Sequence, residues 1–478
     1  MKKVFDNFYC KLFFIIIPFL NEISYLIPYV NPIMKLGLVL AAIYLVYDFF
    51  TRRETLKMNH ITLMVLFLFA MGMGILLNMK VPAFKMNVIE FLYTGCSLLV
   101  LFQVSSDKTQ KDIYREMTAI NYILVSMITI AGIISLVLCF AKIQTTFVYH
   151  DYEYPVGMYN GRLVGIFRNS IYPTATIGII AAMVQLCINR IYYEHKKNVI
   201  NRLLIASGII NFMVFSLQAS KGLLIGLFSS VFFVFLMYWY KCCACRPKRL
   251  LRLSDKKRLL IAIPASGVMA GITYCVMWLF RTINTYIMLA FNMFFDHSKL
   301  EQGLLNTQEY FDRHVSDAYG ALTGRPYVWK TGITHFMQQP LFGYGPYTLA
   351  NTIHPYEGST EQLSHFHNIF VQTLVSTGSV GFIAFCALVV SMGAGLLKSL
   401  WTDNKRKDYM ILVLASSMLI FLIVINMADT TILFMTKHSG FVFFIYLGYI
   451  LALTGSDKKH RIDRPFFRLA EALGRKGE

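Results

Sequence analysis

The sequence predicts an all-α integral membrane protein with about 12 transmembrane helices and a long structured extracytoplasmic loop between helices 9 and 10. Three observations carry this. The 478 residues are 56% hydrophobic and only 15% charged, whereas soluble domains carry about 25% charged residues. Apolar runs of about 20 residues, each enough to cross a ~30 Å hydrocarbon core, recur from end to end. Between them lie short basic segments. The expectation is one transmembrane domain over 1–478, which includes the extracytoplasmic loop 281–365 and a cytoplasmic basic tail 455–478.

Twelve spans can be placed, near 12–30, 34–50, 61–78, 85–103, 118–141, 171–189, 203–219, 222–240, 259–280, 378–398, 410–428 and 439–454. Lys2 and Lys3 followed by an apolar run from Leu12 imitate a signal peptide. No small-residue cleavage site follows and the run continues to Val30, so a retained first helix is expected. At Val30-Asn31-Pro32 and around Ser220-Lys221-Gly222 two helices are joined by almost nothing.

The net charge of +19 does not signal nucleic acid, because the basic residues are spread over segments between apolar runs. With the N-terminus inside, the inner segments hold 32 of the 45 Lys and Arg residues and the outer segments 12. Cytoplasmic loops are the ones enriched in Lys and Arg. Both termini are therefore expected in the cytoplasm, and the basic segments also meet anionic membrane lipid. The tail 455–478 places Arg461, Arg464 and Arg468 beside Phe466, Phe467 and Leu469, as a basic amphipathic helix on the inner leaflet does.

Two outer loops are substantial on this orientation, 142–170 and 281–365. The second holds five of the eleven histidines, with His367 at its edge. Inside it, Pro326 suits the start of a helix and Pro340 its end. Trp329, Ile333, Phe336 and Met337 recur between them at helical spacing and predict a short amphipathic helix. Gly343-x-Gly345 reads as a flexible turn. The apolar segment from His367 to Ser376, bounded by Gly378, is too short to span and predicts an interfacial or re-entrant helix. The loop contains no cysteine and hence no disulfide is expected in it. Cys242, Cys243 and Cys245 are read as small residues at a helix end, with metal binding or lipidation as the alternatives.

A membrane protein does its chemistry where it departs from lipid solubility. On the outer side those departures are Arg162 and Arg168 in the first loop, Lys221 in the tight turn, Arg325 at the start of the amphipathic helix, and His367. Arginine presents a planar fork suited to phosphate oxygens, and lysine a point charge. The plain alternative is that these residues bind helix-end carbonyls or lipid headgroups. His367 is the candidate general base, since a neutral imidazole accepts a proton from a hydroxyl. Asn368 can hold a substrate or the loop. His365-x-His367 invites a metal reading, but no acidic or thiol ligand in the sequence completes it, so no metal is expected. The carboxylate pairs Asp151 with Glu153 and Asp312 with Asp317 read as loop polarity. Little mid-span charge is present beyond Lys35, Glu90 and Asp429.

Four segments together resemble the O-antigen ligase and polymerase family of bacterial membrane glycosyltransferases. They are Gly161-Arg162-Leu163 with Gly165-x-Phe167-x-Asn169; Ser220-Lys221-Gly222, with Lys where that family usually has Arg; Arg325, Trp329 and Pro340-Leu-Phe-Gly343-x-Gly345; and His367-Asn368 with Gly378-x-x-Gly381. The resemblance implies a metal-independent, cofactor-free glycosyltransferase in the cell's inner or plasma membrane. It would act outside the cytoplasm on an undecaprenyl-pyrophosphate-linked oligosaccharide, with a flippase and a chain-length regulator as partners. It implies Arg162, Lys221 and Arg325 as pyrophosphate ligands, His367 and Arg325 as catalytic residues, and Asn368, Arg168, Gly343 and Gly345 in support. The expected activity is a polysaccharide polymerase, with ligase-type transfer to a different acceptor as the alternative. A flippase for the same lipid-linked sugar is the rival of another class. It predicts repeated halves and mid-membrane charge, neither of which is prominent here.

Overall fold

The computed structural model describes residues 6–150, 152–159, 161–168, 173–193, 198–218, 220–245, 255–295, 325–350, 352–354, 363–402, 406–434 and 437–455. Among these, thirteen α-helices make an all-α membrane bundle: α1 Asn7–Asn21, α2 Ile27–Thr51, α3 Ile61–Leu77, α4 Phe84–Cys96, α5 Gln110–Phe140, α6 Thr174–Tyr192, α7 Asn198–Gln218, α8 Lys221–Cys245, α9 Asp255–Phe295, α10 Arg325–Gln338, α11 Ile369–Thr402, α12 Tyr409–Asn426 and α13 His438–Thr454. Nine apolar helical stretches are long enough to cross a membrane, and three shorter apolar helices, α1, α3 and α13, stand where the remaining spans were expected. The C-terminal tail, the carboxylates Asp151, Asp312 and Asp317, and Asn169 lie outside the described residues, as do the side chains of Cys242, Cys243 and Cys245.

Several boundaries differ from expectation, each for a local reason. The first junction falls at residues 22–26 and not at Asn31-Pro32. Pro28 and Pro32 both lie in α2, the first at the helix start, where a missing N–H costs nothing. Helix α5 begins eight residues early because Thr109 and Asp112 form a reciprocal capping box, which satisfies two otherwise orphaned backbone donors. Helix α9 runs fifteen residues beyond the predicted 280, to Phe295. The first long loop folds into an antiparallel sheet β1-β2-β3, Thr145–Tyr149, Tyr152–Tyr159 and Arg162–Gly165, which helical periodicity did not reveal.

Following the helices end to end places the segments after α1, α3, α5, α7 and α12, together with the sheet and α10, at one end of the bundle. This is the end that the charge distribution expects to be extracytoplasmic, and it is called the loop end here. Among the nine long helical stretches of the described residues, α12 is the most enclosed, with 78% of its apolar stretch buried, and α9 the most peripheral, with 11%; the shorter α13 is buried along nearly its whole length. Helix α12 packs on α8, α6 and α13, and α11 packs on α3. In the α5–α6–α13 interface Tyr446 donates to Asn121, which donates to Gln185 (3.1 Å), which in turn donates to Asn189 (2.8 Å). Away from water, unpaired amides of this kind would be costly.

The long-loop signature is held by backbone contacts. Tyr344 N–H donates to Val375 O (3.0 Å), Gly345 N–H to Ser376 O (2.9 Å) and Ser379 N–H to Pro340 O (2.7 Å). Gly343, Gly345 and Gly378 have φ of 65°, 87° and 63°, in the region that glycine tolerates. A Cβ at Gly343 would lie 2.3 Å from Val375 O and one at Gly378 2.2 Å from Leu341 O. The expected flexible turn is therefore a locked one, since backbone-to-backbone approach this close leaves no room for a side chain. Gly378 also breaks the helical dihedrals within α11, separating the short segment 369–377 from the long span that follows, as its sequence bounds predicted.

Candidate functional site

The site is built around Ser364-His365-Phe366-His367-Asn368, which enters α11. Asn368 caps that helix, its Oδ1 accepting from Phe370 N–H (2.9 Å) and Val371 N–H (3.1 Å), while its Nδ2 donates to Met427 O (2.9 Å). One amide thus fixes the start of α11 to the end of α12, so Asn368 holds the loop. His367 has φ 50°, a conformation that costs an ordinary residue about 1 kcal/mol or more. The ring centroids of His365 and His367 lie 4.1 Å apart. Phe366 is buried between them, its N–H donating to Gln372 Oε1 (3.1 Å). Gln372 Nε2 reaches Pro346 O (3.1 Å). Sequence reasoning passed over Gln372, and its only signal is a polar residue within an apolar run.

The carboxylate partner is Asp429. It was expected inside a span, but α12 ends at Asn426, whose Oδ1 accepts from Thr431 and Ile432 N–H groups and turns the chain. Asp429 therefore sits at the loop end. Its Oδ1 lies 3.0 Å from His365 Nε2, 3.9 Å from His367 Nδ1 and 2.8 Å from its own neighbour's Thr430 N. Burial pushes its carboxyl up, but Lys437 and the two histidines outweigh that and hold it well below the usual carboxylate range. With Asp429 ionised, His365 donates from Nε2 and its Nδ1, 3.0 Å from Ser364 Oγ, accepts. His367 Nδ1 faces the same carboxylate, which favours the proton there and leaves Nε2 with its lone pair. Burial, followed by the neighbouring His365, Arg325 and Lys437, outweighs the Asp429 carboxylate and lowers the His367 pKa to about 3. His367 is thus a neutral imidazole at physiological pH.

Arg325, first residue of α10, is brought here by the packing of that helix. Val328 and Gly332 form the packed face, and a Cβ on Gly332 would stand 2.7 Å from Val371 and 3.0 Å from Phe366. Ile333 and Met337 point outward, so part of the predicted apolar stripe faces away from the bundle. Burial draws the Arg325 guanidinium below its usual pKa and Asp429 opposes this. Lys221 is the exposed first residue of α8. One turn on, Gly226 lies against Phe421 and Ile425 of α12, which places Lys221 at the same end as Asp429. Arg162 begins β3 and Arg168 follows it. Arg168 N–H donates to Glu22 O (2.9 Å), and its Nε lies 4.0 Å from Glu22 Oε2. Just beyond their strand, Phe167 meets Phe19 edge-on, and Phe19 meets His438 at the head of α13. Arg325, His365, His367 and Asp429 therefore form one group. Lys221 stands on a neighbouring helix, Arg162 on β3, which packs on α5 and α7, and Arg168 beside Glu22 at the end of α1.

Below the group is an apolar cavity of about 300 Å³. Ile369, Phe370, Asn426 and Ile432 line it at the loop end, and Met392, Leu396 and Leu397 deeper along α11. The cavity is lined almost wholly by apolar side chains, and Ile369 and Phe370 bring it next to the histidine segment.

The fold and the site define a polytopic membrane protein with a polar, cationic centre at its loop end. The comparisons with known proteins agree with the motif resemblance. The family model described as O-antigen ligase matches residues 203–386, a range that contains Lys221, Arg325, Gly343, Gly345, His365, His367 and Asn368. The exopolysaccharide production protein ExoQ of Rhizobium meliloti (strain 1021) is 33% identical over 100 residues. That match covers 19% of this chain and 23% of the length of that relative. No solved structure matches.

Proposed function

We propose that this chain is a polysaccharide polymerase that transfers an undecaprenyl-pyrophosphate-linked glycan onto a lipid-linked repeat unit at the loop end of the bundle. The observation that carries this is the grouping of Arg325, His367 and Asp429 directly over the apolar cavity. His367 Nε2 takes the proton of the acceptor hydroxyl, and that oxygen attacks the anomeric carbon of the donor. The bond from the anomeric carbon to the phosphate oxygen breaks, and undecaprenyl pyrophosphate leaves with the electron pair. Direct attack inverts the anomeric centre. Asp429 holds the Nδ1 proton of His367 and stabilises the imidazolium that forms. Negative charge grows on the pyrophosphate as the bond breaks, so Arg325, with Lys221 and Arg162, acts where stabilisation of the transition state is largest. No step in this scheme calls on a metal. The cavity takes the first part of the polyprenyl tail, a match of apolar surface to apolar surface.

Ligase-type transfer to a different acceptor uses the same donor chemistry, and the description of the matching family favours that second reading. The size profile of glycan in cells lacking the gene, with linkage to the carrier scored in the same extract, separates the two. Single repeat units in place of the long-chain ladder are expected for a polymerase. Full-length chains stranded on the carrier identify a ligase. Repeat units trapped on the cytoplasmic side overturn both.

A further inference from the structure

The trio His365, His367 and Asp429 has the makings of a second site. We propose that it binds a transition-metal ion of the Zn²⁺ class, and that occupancy switches transfer off.

The argument begins with geometry. The three ligand atoms all lie within 4.8 Å of one another, with 3.0 Å from His365 Nε2 to Asp429 Oδ1 and 3.9 Å from His367 Nδ1 to the same oxygen. Tetrahedral zinc, with bonds of about 2.0–2.2 Å, holds its ligands roughly 3.3–3.5 Å apart. The trio is within a small side-chain rotation of that arrangement. The sequence shows His365-x-His367 but not the third ligand, because Asp429 lies 62 residues further on and joins them through the Asn368–Met427 contact.

Chemistry selects the ion. Two imidazoles and one carboxylate, with positions left open, suit zinc and its neighbours, whereas Mg²⁺ and Ca²⁺ require more oxygen ligands. Arg325 and Lys437 act on the same carboxylate and oppose any dication. Binding must therefore come from metal–imidazole bonding and not from charge, which sharpens the choice against Mg²⁺. The Ser364 hydroxyl, 3.0 Å from His365 Nδ1, is an outer partner of the kind that orients a ligating imidazole.

The consequence for transfer is a tautomer argument, and this half rests on His367 being the base. A metal on Nδ1 takes the lone pair that appears when that nitrogen loses its proton. The proton moves by way of solvent to Nε2, so the neutral imidazole bound this way carries N–H at Nε2. Nε2 then donates a hydrogen bond and accepts no proton from the acceptor hydroxyl. The ion also withdraws Asp429 from its role beside the ring.

The test uses full-length protein in nanodiscs, in a background of Cys242→Ser, Cys243→Ser and Cys245→Ser so that those thiols do not compete. Co²⁺ is titrated and followed by its visible tetrahedral bands, then displaced with Zn²⁺. One ion per chain is expected, with no displacement by Mg²⁺. His365→Ala, or His365→Gln if the alanine variant melts early, weakens Zn²⁺ at least about tenfold. Unchanged affinity in a His365→Ala, Asp429→Asn double variant overturns the site. In the transfer assay, saturating Zn²⁺ stops the parent background and a chelator restores it. Metal bound at the trio with transfer unaffected overturns the switch and the base assignment together. An inactive His367→Ala variant in a protein that binds no metal removes the metal site and leaves the base standing.

Discussion

At the scale of single residues, the site combines a neutral imidazole with an ionised carboxylate and a guanidinium. His367→Ala removes the proton acceptor, so transfer falls roughly 10²–10⁴-fold while the melting temperature in detergent stays near that of the parent. Normal transfer in a folded His367→Ala variant would falsify the assignment of the base. Asp429→Asn keeps the shape but turns an amide toward Nδ1, where it favours the wrong tautomer. Transfer then falls roughly 10²-fold or more, read against the amount of folded protein by size exclusion. Lys221 stands exposed at the head of α8, where the resembling family usually has arginine. Lys221→Arg is expected to keep activity and Lys221→Ala to raise the KM for the lipid-linked donor. Equal KM in both variants removes Lys221 from the pyrophosphate site.

At the scale of elements, the decisive joint is the contact of the 340–345 turn with the two halves of α11. Gly378 has φ 63°, and a Cβ there would lie 2.2 Å from Leu341 O. Gly378→Ala therefore adds left-handed strain and a backbone clash, a destabilisation of roughly 2 kcal/mol or more. A thermal shift assay should show it, and transfer should fall further than stability, because the turn bears on the segment that carries the histidines. Gly208→Ala, where an added Cβ meets nothing within 4 Å, is the control and is expected to be neutral or mildly stabilising in its helix. The predicted helix 326–340 exists at Arg325–Gln338. Which of its faces packs was not legible, because Gly332 carries no hydrophobic signal and yet is the position where Phe366 and Val371 approach.

At the scale of the whole molecule, the opposite end is tied by Asp408. Arg406 forks onto it with Nε–Oδ1 and Nη2–Oδ2 both at 2.9 Å, and Tyr114 and Gln110 add hydrogen bonds from α5 at 2.5 and 2.6 Å. Burial raises the carboxyl, but the bonds from Arg406 and Tyr114 prevail and hold it below its usual value. A carboxylate with a lower pKa folded than unfolded adds stability that is complete above the unfolded value and lost as pH falls through the folded one. The melting temperature is therefore expected to fall on acidification below about pH 4, and to fall less in Asp408→Asn, which starts lower. A parallel acid dependence in both proteins rules out this tie as the cause.

The sequence alone determined the all-α membrane class and the approximate place of the nine long apolar helical stretches among the described residues, because burial in lipid acts on each helix separately and writes itself as an apolar run. It also determined the cation and histidine candidates, since polar residues in such a chain stand out by composition. It misjudged Asp429, whose neighbours read as the end of a span until the Asn426 side chain is seen to turn the chain away. Only the tertiary structure decided that Asp429 faces both histidines, that Arg325 joins them and that the strand carrying Arg162 packs on α5 and α7. It likewise decided that the glycine turn is locked and that an apolar cavity lies beneath the cluster. These depend on which helices touch, and a contact between residues 60 to 100 positions apart leaves no periodic trace in the chain.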